Sequence, residues 1–253
     1  MYKSIRVIAR LDLKSQRLIK GINFEGMRDL GNADAYAKKY FLDGADELIV
    51  MDSVASLFSN NTAINFLNSA IKKIFIPITI GGGIKNIDEV RNVLKNGADK
   101  VAINSGIVRD KKLIKKIAHT FGSQSLVVSI NAKKKSKNSW ELYIDRGREK
   151  TNIDVFEWAN FVQKNGAGEI LLTAIDKDGT ELGFDYELAK KMSRLITIPL
   201  IIAGGCGNLD DIEKVIKFSK VTALALSTIL HYKKFKIQDI KNFLDNRKFN
   251  VRK

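Results

Sequence analysis

The 253-residue sequence predicts an α/β protein, a single (β/α)8 TIM barrel built from two duplicated (β/α)4 half-barrels. Three observations predict it. The first is an internal repeat: Pro77 in "IPITIGGG" and Pro199 in "IPLIIAGG", the only two prolines, stand 122 residues apart. Glu47 and Glu169 share that spacing, as do Gly82 and Gly204, and "KVAINS" from Lys100 falls on "TALALS" from Thr222. The second is that short β-rich runs alternate with helical stretches, four of each per half. The third is length: eight such units in 253 residues fill one barrel and leave no domain boundary. An open doubly wound sheet leaves two equal halves, about 1–122 and 123–253, unexplained.

The predicted barrel strands are 5–12, 47–52, 76–81 and 100–104, then 125–131, 169–174, 198–203 and 222–227. "NADAYAKKYFLDG" and "NIDEVRNVLKNG" are helical between them, the latter with Asn86 as N-cap and Glu89 completing a capping box. Gly44, Gly97 and Gly166 sit where helices end, as left-handed C-caps. The segments after the first strand (13–31) and the fifth (132–152) are the longest loops. Both rise from one face and suit a lid over a mouth.

Composition narrows the function. A net charge of +15 fits nucleic acid or small anions. The lysines are dispersed ("KKLIKK", "AKKKSK", "YKKFK") without aromatic residues to stack bases, so no nucleic-acid partner is expected. No apolar run approaches the ~20 residues that cross a bilayer, and "MYKSIRVIARLDLK" lacks the apolar core of a signal peptide. The single cysteine, Cys206, excludes an internal disulfide framework; a cytoplasmic protein away from membranes is expected. Neither a cofactor nor a metal is expected.

Strand C-termini form the face on which barrel active sites are built. Gly82 and Gly83 follow the third strand and Asn104-Ser105 the fourth; Gly204-Gly205 follow the seventh and Ser227 the eighth. Backbone without Cβ approaches a ligand closely and offers N–H donors to phosphate. Each half therefore offers one anion cradle, with Asp178 and Gly179 adding to the second. Turn glycines without a ligand explain either cluster alone, but the symmetric pair points to a substrate with a phosphate at each end. Between the cradles, Asp12 and Asn131 end the first and fifth strands. A carboxylate at that depth is functional or ion-paired, and Arg10, of the same strand parity, is the partner for the second case.

Together the phrases "LDLK", "IKGINFEGMRDLG", "IGGGIKN", "GADKVAINS", "TFGSQSLVVSI", "NGAGEILLTAIDKDGT" and "FNVRK" carry a resemblance. Over essentially its full length the chain resembles the cyclase subunit of imidazole glycerol phosphate synthase, the HisF family. The resemblance implies a lyase of histidine biosynthesis. Its substrate is a bisphosphorylated ribulosyl-formimino carboxamide ribotide. Ammonia from a glutaminase (HisH-like) partner, docked on the N-terminal face, passes through the barrel. The products are imidazole glycerol phosphate and an aminoimidazole carboxamide ribotide. It also implies acid–base aspartates ending strands one and five, of which Asp12 is the first, and a loop lysine, Lys20. The ammonia gate maps onto Arg6, Glu47, Lys100 and Glu169, with Asp99 beside it; a solvated or ion-paired barrel bottom is the plainer account of these charges.

Two departures stand out. Asn131 occupies the second catalytic aspartate's place, and an amide exchanges no proton near neutral pH. Arg10 replaces the small residue usual two places before Asp12. Three functions remain open: the histidine-pathway cyclase, a HisF-like paralogue that docks a glutaminase and supplies ammonia for amidino groups on surface-polysaccharide sugars, and a two-phosphate sugar isomerase, which leaves the gate ring without purpose.

Overall fold

A computed structural model describes residues 4–53, 62–70 and 72–252. In chain order its strands are β1 (Arg6–Lys14), β2 (Arg17–Ile22), β3 (Glu25–Asn32), β4 (Glu47–Asp52), β5 (Ile78–Gly81), β6 (Lys100–Ile103), β7 (Leu126–Ser136), β8 (Ser139–Ile144), β9 (Glu149–Asp154), β10 (Glu169–Ala174), β11 (Leu200–Ala203) and β12 (Ala223–Leu226). The helices are α1 (Ala33–Leu42), α2 (Thr62–Ala70), α3 (Ile87–Lys95), α4 (Ser105–Arg109), α5 (Lys112–Phe121), α6 (Val155–Lys164), α7 (Tyr186–Leu195), α8 (Leu209–Phe218), α9 (Thr228–His231) and α10 (Ile237–Asn246).

Eight strands pair in parallel in the order β10-β11-β12-β1-β4-β5-β6-β7, and β7 pairs with β10 to close the barrel. The eight predicted strands are these eight. The 122-residue spacing holds for elements: β4 and β10, β5 and β11, and helices α1 and α6 begin 122 residues apart. Even the caps repeat, for Asn32 accepts from the Ala35 N–H and Asp154 from those of Phe156 and Glu157.

Strand parity sorts the core into two parts. On β1, Val7, Ala9 and Leu11 face outward and join the buried residues of the helices, among them Val90 and Val93 of α3 and Ile212 and Val215 of α8. Ile8 faces the barrel interior with Ile49, Ala102, Val127, Leu171, Ile201, Ala203, Ala223 and Ala225. This inner layer is small and mostly apolar, with Thr79 of β5 facing in beside Ile49.

Two expectations need correction. Segments 13–31 and 132–152 are β-hairpins rather than loops: β1 runs on to pair antiparallel with β2 and β2 with β3, while β7 does the same with β8 and β8 with β9. Their inner strands bury Leu18, Ile19, Trp140 and Leu142, which gives the extended backbone a face to pack. The capping box at Asn86 is shifted: its side chain accepts from the Asp88 and Glu89 N–H groups, but the Glu89 carboxylate accepts from Lys85 N rather than from Asn86 N. The reciprocal box forms 122 residues on, between Asn208 and Asp211, because the shorter Asp side chain reaches the cap N–H as well as Gly207 N. Gly44, Gly97 and Gly166 have the expected left-handed φ of 87°, 100° and 108°.

His231 closes α9 and is fully enclosed. Its Nδ1 lies 2.6 Å from the Tyr40 hydroxyl, and its ring stacks on Tyr40 with centroids 5.7 Å apart. Burial first, and the Lys20 charge next, push the His231 pKa down to about 3, so the folded protein holds it neutral. The unfolded chain binds this proton near an ordinary pKa of about 6.5, so stability is full above that value and is lost as pH falls from there toward 3. Urea unfolding at pH 7 and pH 5 should show a loss of about 2 kcal/mol at the lower pH that His231→Gln abolishes. An equal loss in both proteins would place the acid sensitivity elsewhere.

Candidate active site at the barrel mouth

The residue order on β1 writes the barrel axis from bottom to top: Arg6, Ile8, Arg10 and Asp12 all face inward. At the bottom, Arg6 Nη1 lies 2.7 Å from Glu47 Oε1 and Nη2 bonds Glu169 Oε1. Lys100 Nζ is 3.1 Å from both glutamates. The four predicted gate residues thus form a closed ring of alternating charge across β1, β4, β6 and β10. Burial opposes the Arg6 charge, but Glu169 and Glu47 outweigh it and raise its pKa. Asp99 lies beside the ring, exposed, with one carboxylate oxygen accepting from Ile78 N at 2.8 Å.

Above the apolar layer stands Arg10. Its Nε and Nη2 donate to Asp12 Oδ1 at 3.2 and 3.1 Å, and Nη1 donates to Thr173 Oγ1 at 3.0 Å. The guanidinium therefore links β1 to β10. Burial alone would raise the Asp12 pKa; Arg10 first and Lys20 second overcome it, so Asp12 lies below the usual carboxylate range. The Arg10 pKa rises in turn, since Asp12 and Asp178 outweigh its desolvation. Asp12 and Arg10 are a charged pair at neutral pH.

Lys20 does not project freely. Its Nζ is 2.7 Å from Asp178 Oδ2, with side chains 3% and 4% exposed. The β2–β3 hairpin is latched at the same place by Asn23 N on Asp178 O, 2.7 Å. A Cβ on Gly179 would lie 2.3 Å from Gly21 O, so glycine is required there for two chain segments to pass.

A cleft of about 950 Å³, its mouth included, opens over these residues. Arg10, Asp12, Lys20 and Asn131 line it, as does the whole first cradle: Gly82, Gly83, Asn104 and Ser105. Of the second set only Asp178 does; Gly179, Gly204, Gly205 and Ser227 hold their strand-end positions but do not line this cleft. The Lys20–Asp178 pair stands at that side. The cradle side chains are already engaged: Asn104 Nδ2 donates to Ser129 O at 2.8 Å and Tyr143 O at 3.2 Å, and Ser105 Oγ accepts from Asp145 N at 3.0 Å. What the first cradle presents is chiefly backbone. Its glycine at 82 has φ 104°, and a Cβ there would meet Asp52 O at 2.2 Å, so packing alone demands glycine.

Sequence reasoning missed Phe24, Thr173 and Arg146. Phe24 sits under the Arg10 guanidinium, 5.8 Å from centroid to Cζ, and Arg146 occupies the turn between β8 and β9. Thr173 alone was recoverable, since it has the inward parity of Glu169 on a predicted strand.

A family model described as "Histidine biosynthesis protein" matches residues 6–236. The chain is 43% identical over 248 residues, 98% of both proteins, to "Imidazole glycerol phosphate synthase subunit HisF" of Clostridium botulinum (strain 657 / Type Ba4). It is 49% identical over 208 residues to the protein of the same name from Legionella pneumophila, covering 82% of this chain and 98% of that one. The Prochlorococcus marinus (strain AS9601) counterpart is 41% identical over 98% of both chains. The chain belongs to the HisF family. In this HisF family member no described helix is long and apolar enough to cross a membrane.

Because the Lys20–Asp178 pair is dry, removing one partner strands a buried charge. Asp178→Ala should therefore lower stability by about 3–5 kcal/mol and open the β2–β3 hairpin to trypsin at Arg17 and Arg28. Unchanged urea unfolding and an unchanged digestion pattern would show that the pair holds nothing in place.

Proposed function

We propose that this chain acts as the cyclase-type subunit of an imidazole glycerol phosphate synthase. It would take ammonia from a glutaminase (HisH-like) subunit on its N-terminal face and work on a bisphosphorylated ribulosyl-formimino carboxamide ribotide at the mouth. The observation that carries this is near-full-length identity to proteins named as that subunit. The axis of the barrel is consistent with it: a neutral ring, an apolar layer that a small uncharged molecule crosses at little cost, and a polar cleft. The substrate's two phosphates would take the strand-end backbone at Gly82, Gly83, Asn104 and Ser105 on one side, and at Gly179, Gly204, Gly205 and Ser227 on the other.

The proton chemistry is where this chain differs. Asp12, ionised by Arg10 and Lys20, accepts hydrogen bonds but has no proton to give at neutral pH. Asn131 has none to exchange. Cyclisation with bond cleavage needs one proton delivered and another removed, so the missing carboxylate is expected to cost the ~10²–10⁴-fold typical of general acid–base catalysis. Arg10 also stands above the apolar layer, on the path ammonia would take. These observations favour the second reading, a HisF-like paralogue with weak cyclase activity that docks a glutaminase and delivers ammonia for amidino modification of surface sugars.

Assay with the bisphosphate ribotide and ammonium salts separates the two. The unmodified protein should show little or no cyclase activity, and Asn131→Asp should raise the residual rate by roughly one to three orders of magnitude. A robust rate that the substitution leaves unchanged would return the chain to the histidine pathway.

Docking is tested on the opposite face. Co-expression with its glutaminase should give a stable heterodimer that Asp99→Lys weakens. Asp99→Asn, which keeps an acceptor for Ile78 N, separates loss of charge from loss of that bond. No complex with any glutaminase of the source organism would remove the partner role.

A further inference from the structure

Beside the first cradle lies an arginine that the pairs on the barrel axis do not use. Arg109 ends α4, the short helix that begins at Ser105, and the four-residue spacing puts both side chains on one face. Both line the cleft with Gly82, Gly83 and Asn104. One residue of the β8–β9 turn joins them. Asp145 N donates to Ser105 Oγ at 3.0 Å, and Asp145 Oδ2 accepts from Arg109 Nη2 at 2.6 Å. Glu149 Oε2 takes the same Nη2 at 3.3 Å. Arg109 and a cradle side chain are thus within bonding distance of a single residue. Lys85 and Arg146 also line the cleft, but neither side chain has such a link to the cradle among the described residues.

The Asp145 carboxylate already acts as the anion of this corner. Burial alone would raise its pKa; hydrogen bonds from Arg109 and then from Ser105 outweigh burial and hold the group below the usual carboxylate range. It therefore occupies two donors, a guanidinium and a cradle hydroxyl, of the kind that a phosphate oxygen takes. The grip is weak. The Arg109 side chain is 53% exposed, that of Asp145 32% and that of Glu149 56%, so water and salt screen both pairs. Nε and Nη1 of Arg109 make no hydrogen bond among the described residues. A guanidinium with donors to spare, held only by screened carboxylates, can turn to a more highly charged acceptor at little cost.

We propose that Arg109 is the cation of the first phosphate cradle and that Asp145 is its internal stand-in: a ligand phosphate on Gly82, Gly83 and Ser105 takes Arg109 from Asp145. The inference deepens the phosphate reading of this cradle and rests on it. It adds a binding residue that lies beyond the strand ends, and a carboxylate that competes with the ligand. The plainer role for the trio is a clamp that fastens the β8–β9 turn to α4. The two roles predict opposite signs. Removing a competitor strengthens phosphate binding, whereas loosening a clamp weakens it.

Titration of the full chain with inorganic phosphate, followed by 15N amide shifts, reads the two cradles separately. Gly82, Gly83 and Ser105 report the first, Gly204 and Gly205 the second. Asp145→Asn, which keeps the backbone bond to Ser105, should tighten the first site about 3–10-fold, and Glu149→Gln should do so by less. Arg109→Gln should weaken it about 3–10-fold. In that background Asp145→Asn should change little, because the carboxylate competes through Arg109 rather than through its own field. The same spectra show that each variant is folded. Weaker first-site binding in Asp145→Asn, or a gain that persists in full beside Arg109→Gln, would overturn the role of Arg109 and leave the cradle standing. So would a change of equal size at Gly204 and Gly205, which marks a general field. The absence of any phosphate-dependent shift at Gly82, Gly83 and Ser105 in the unmodified protein would overturn the cradle, and this inference with it.

Discussion

Everything in this protein hangs on the pairing of β7 with β10. That ladder, from Glu169 opposite Val127 to Ala174 opposite Ala132, turns an eight-stranded ribbon into a cylinder without edges. Once the sheet is closed, alternate residues of every strand have one place to go. The lumen must accept whatever the sequence puts at those positions, polar or not. A charge there is largely cut off from bulk water, so it needs a partner within the lumen. The Arg6–Glu47–Lys100–Glu169 ring and the Arg10–Asp12–Thr173 set are both answers to that demand, and both tie together strands that are far apart in the chain.

The two sets differ in what they leave over. The ring at the bottom balances two cations against two carboxylates, with each lysine or arginine touching both glutamates. The mouth is not built that way. Arg10 is spent on Asp12 and Thr173 and Lys20 on Asp178, while Asn131 and Arg146 remain outside any pair among the described residues. A closed circuit of charge has its donors and acceptors already matched. Unspent donors in a cleft are what a ligand can use, and here they line the same cleft as the proposed phosphate cradle and as Asp12, a carboxylate that carries no transferable proton at neutral pH.

Short apolar, β-rich runs and a repeat of 122 residues made the barrel legible in the sequence, because both are local or near-local signals. Parity then put Arg6, Arg10 and Asp12 on one face, and the Arg10–Asp12 pair followed from it. Contacts over long separations were not legible. Lys20 meets Asp178 across 158 positions, and nothing near either residue says so. The hairpins were hidden for another reason: strands such as "EGMRDLGN" and "EKTNID" face solvent over most of their length and carry no apolar alternation. Symmetry places Gly179, Gly204, Gly205 and Ser227 as a second cradle; they stand at the matching strand ends, while of the residues on that side only Asp178 lines the cleft.

The repeat therefore fixes positions and leaves chemistry free. Asp12 and Asn131 occupy equivalent sites at the ends of β1 and β7, each followed by a hairpin of the same construction. Two residues earlier the halves part: Arg10 stands below Asp12, but Ser129 stands below Asn131. An aspartate at 131 would have faced the lumen without a cation on its own strand, and burial would have pushed it toward the protonated form. That is the state in which a carboxyl group donates a proton, while its counterpart beside Arg10 stays ionised. A symmetric scaffold can thus hold an acid and a carboxylate opposite one another with a single asymmetric arginine. In this chain the arginine is present and the residue opposite is an amide, so on the proposed reading of the site the half that would donate a proton can only hydrogen-bond. The same exchange that removes a proton donor supplies a hydrogen-bonding group, and the charge it takes away is one that would have repelled an anion.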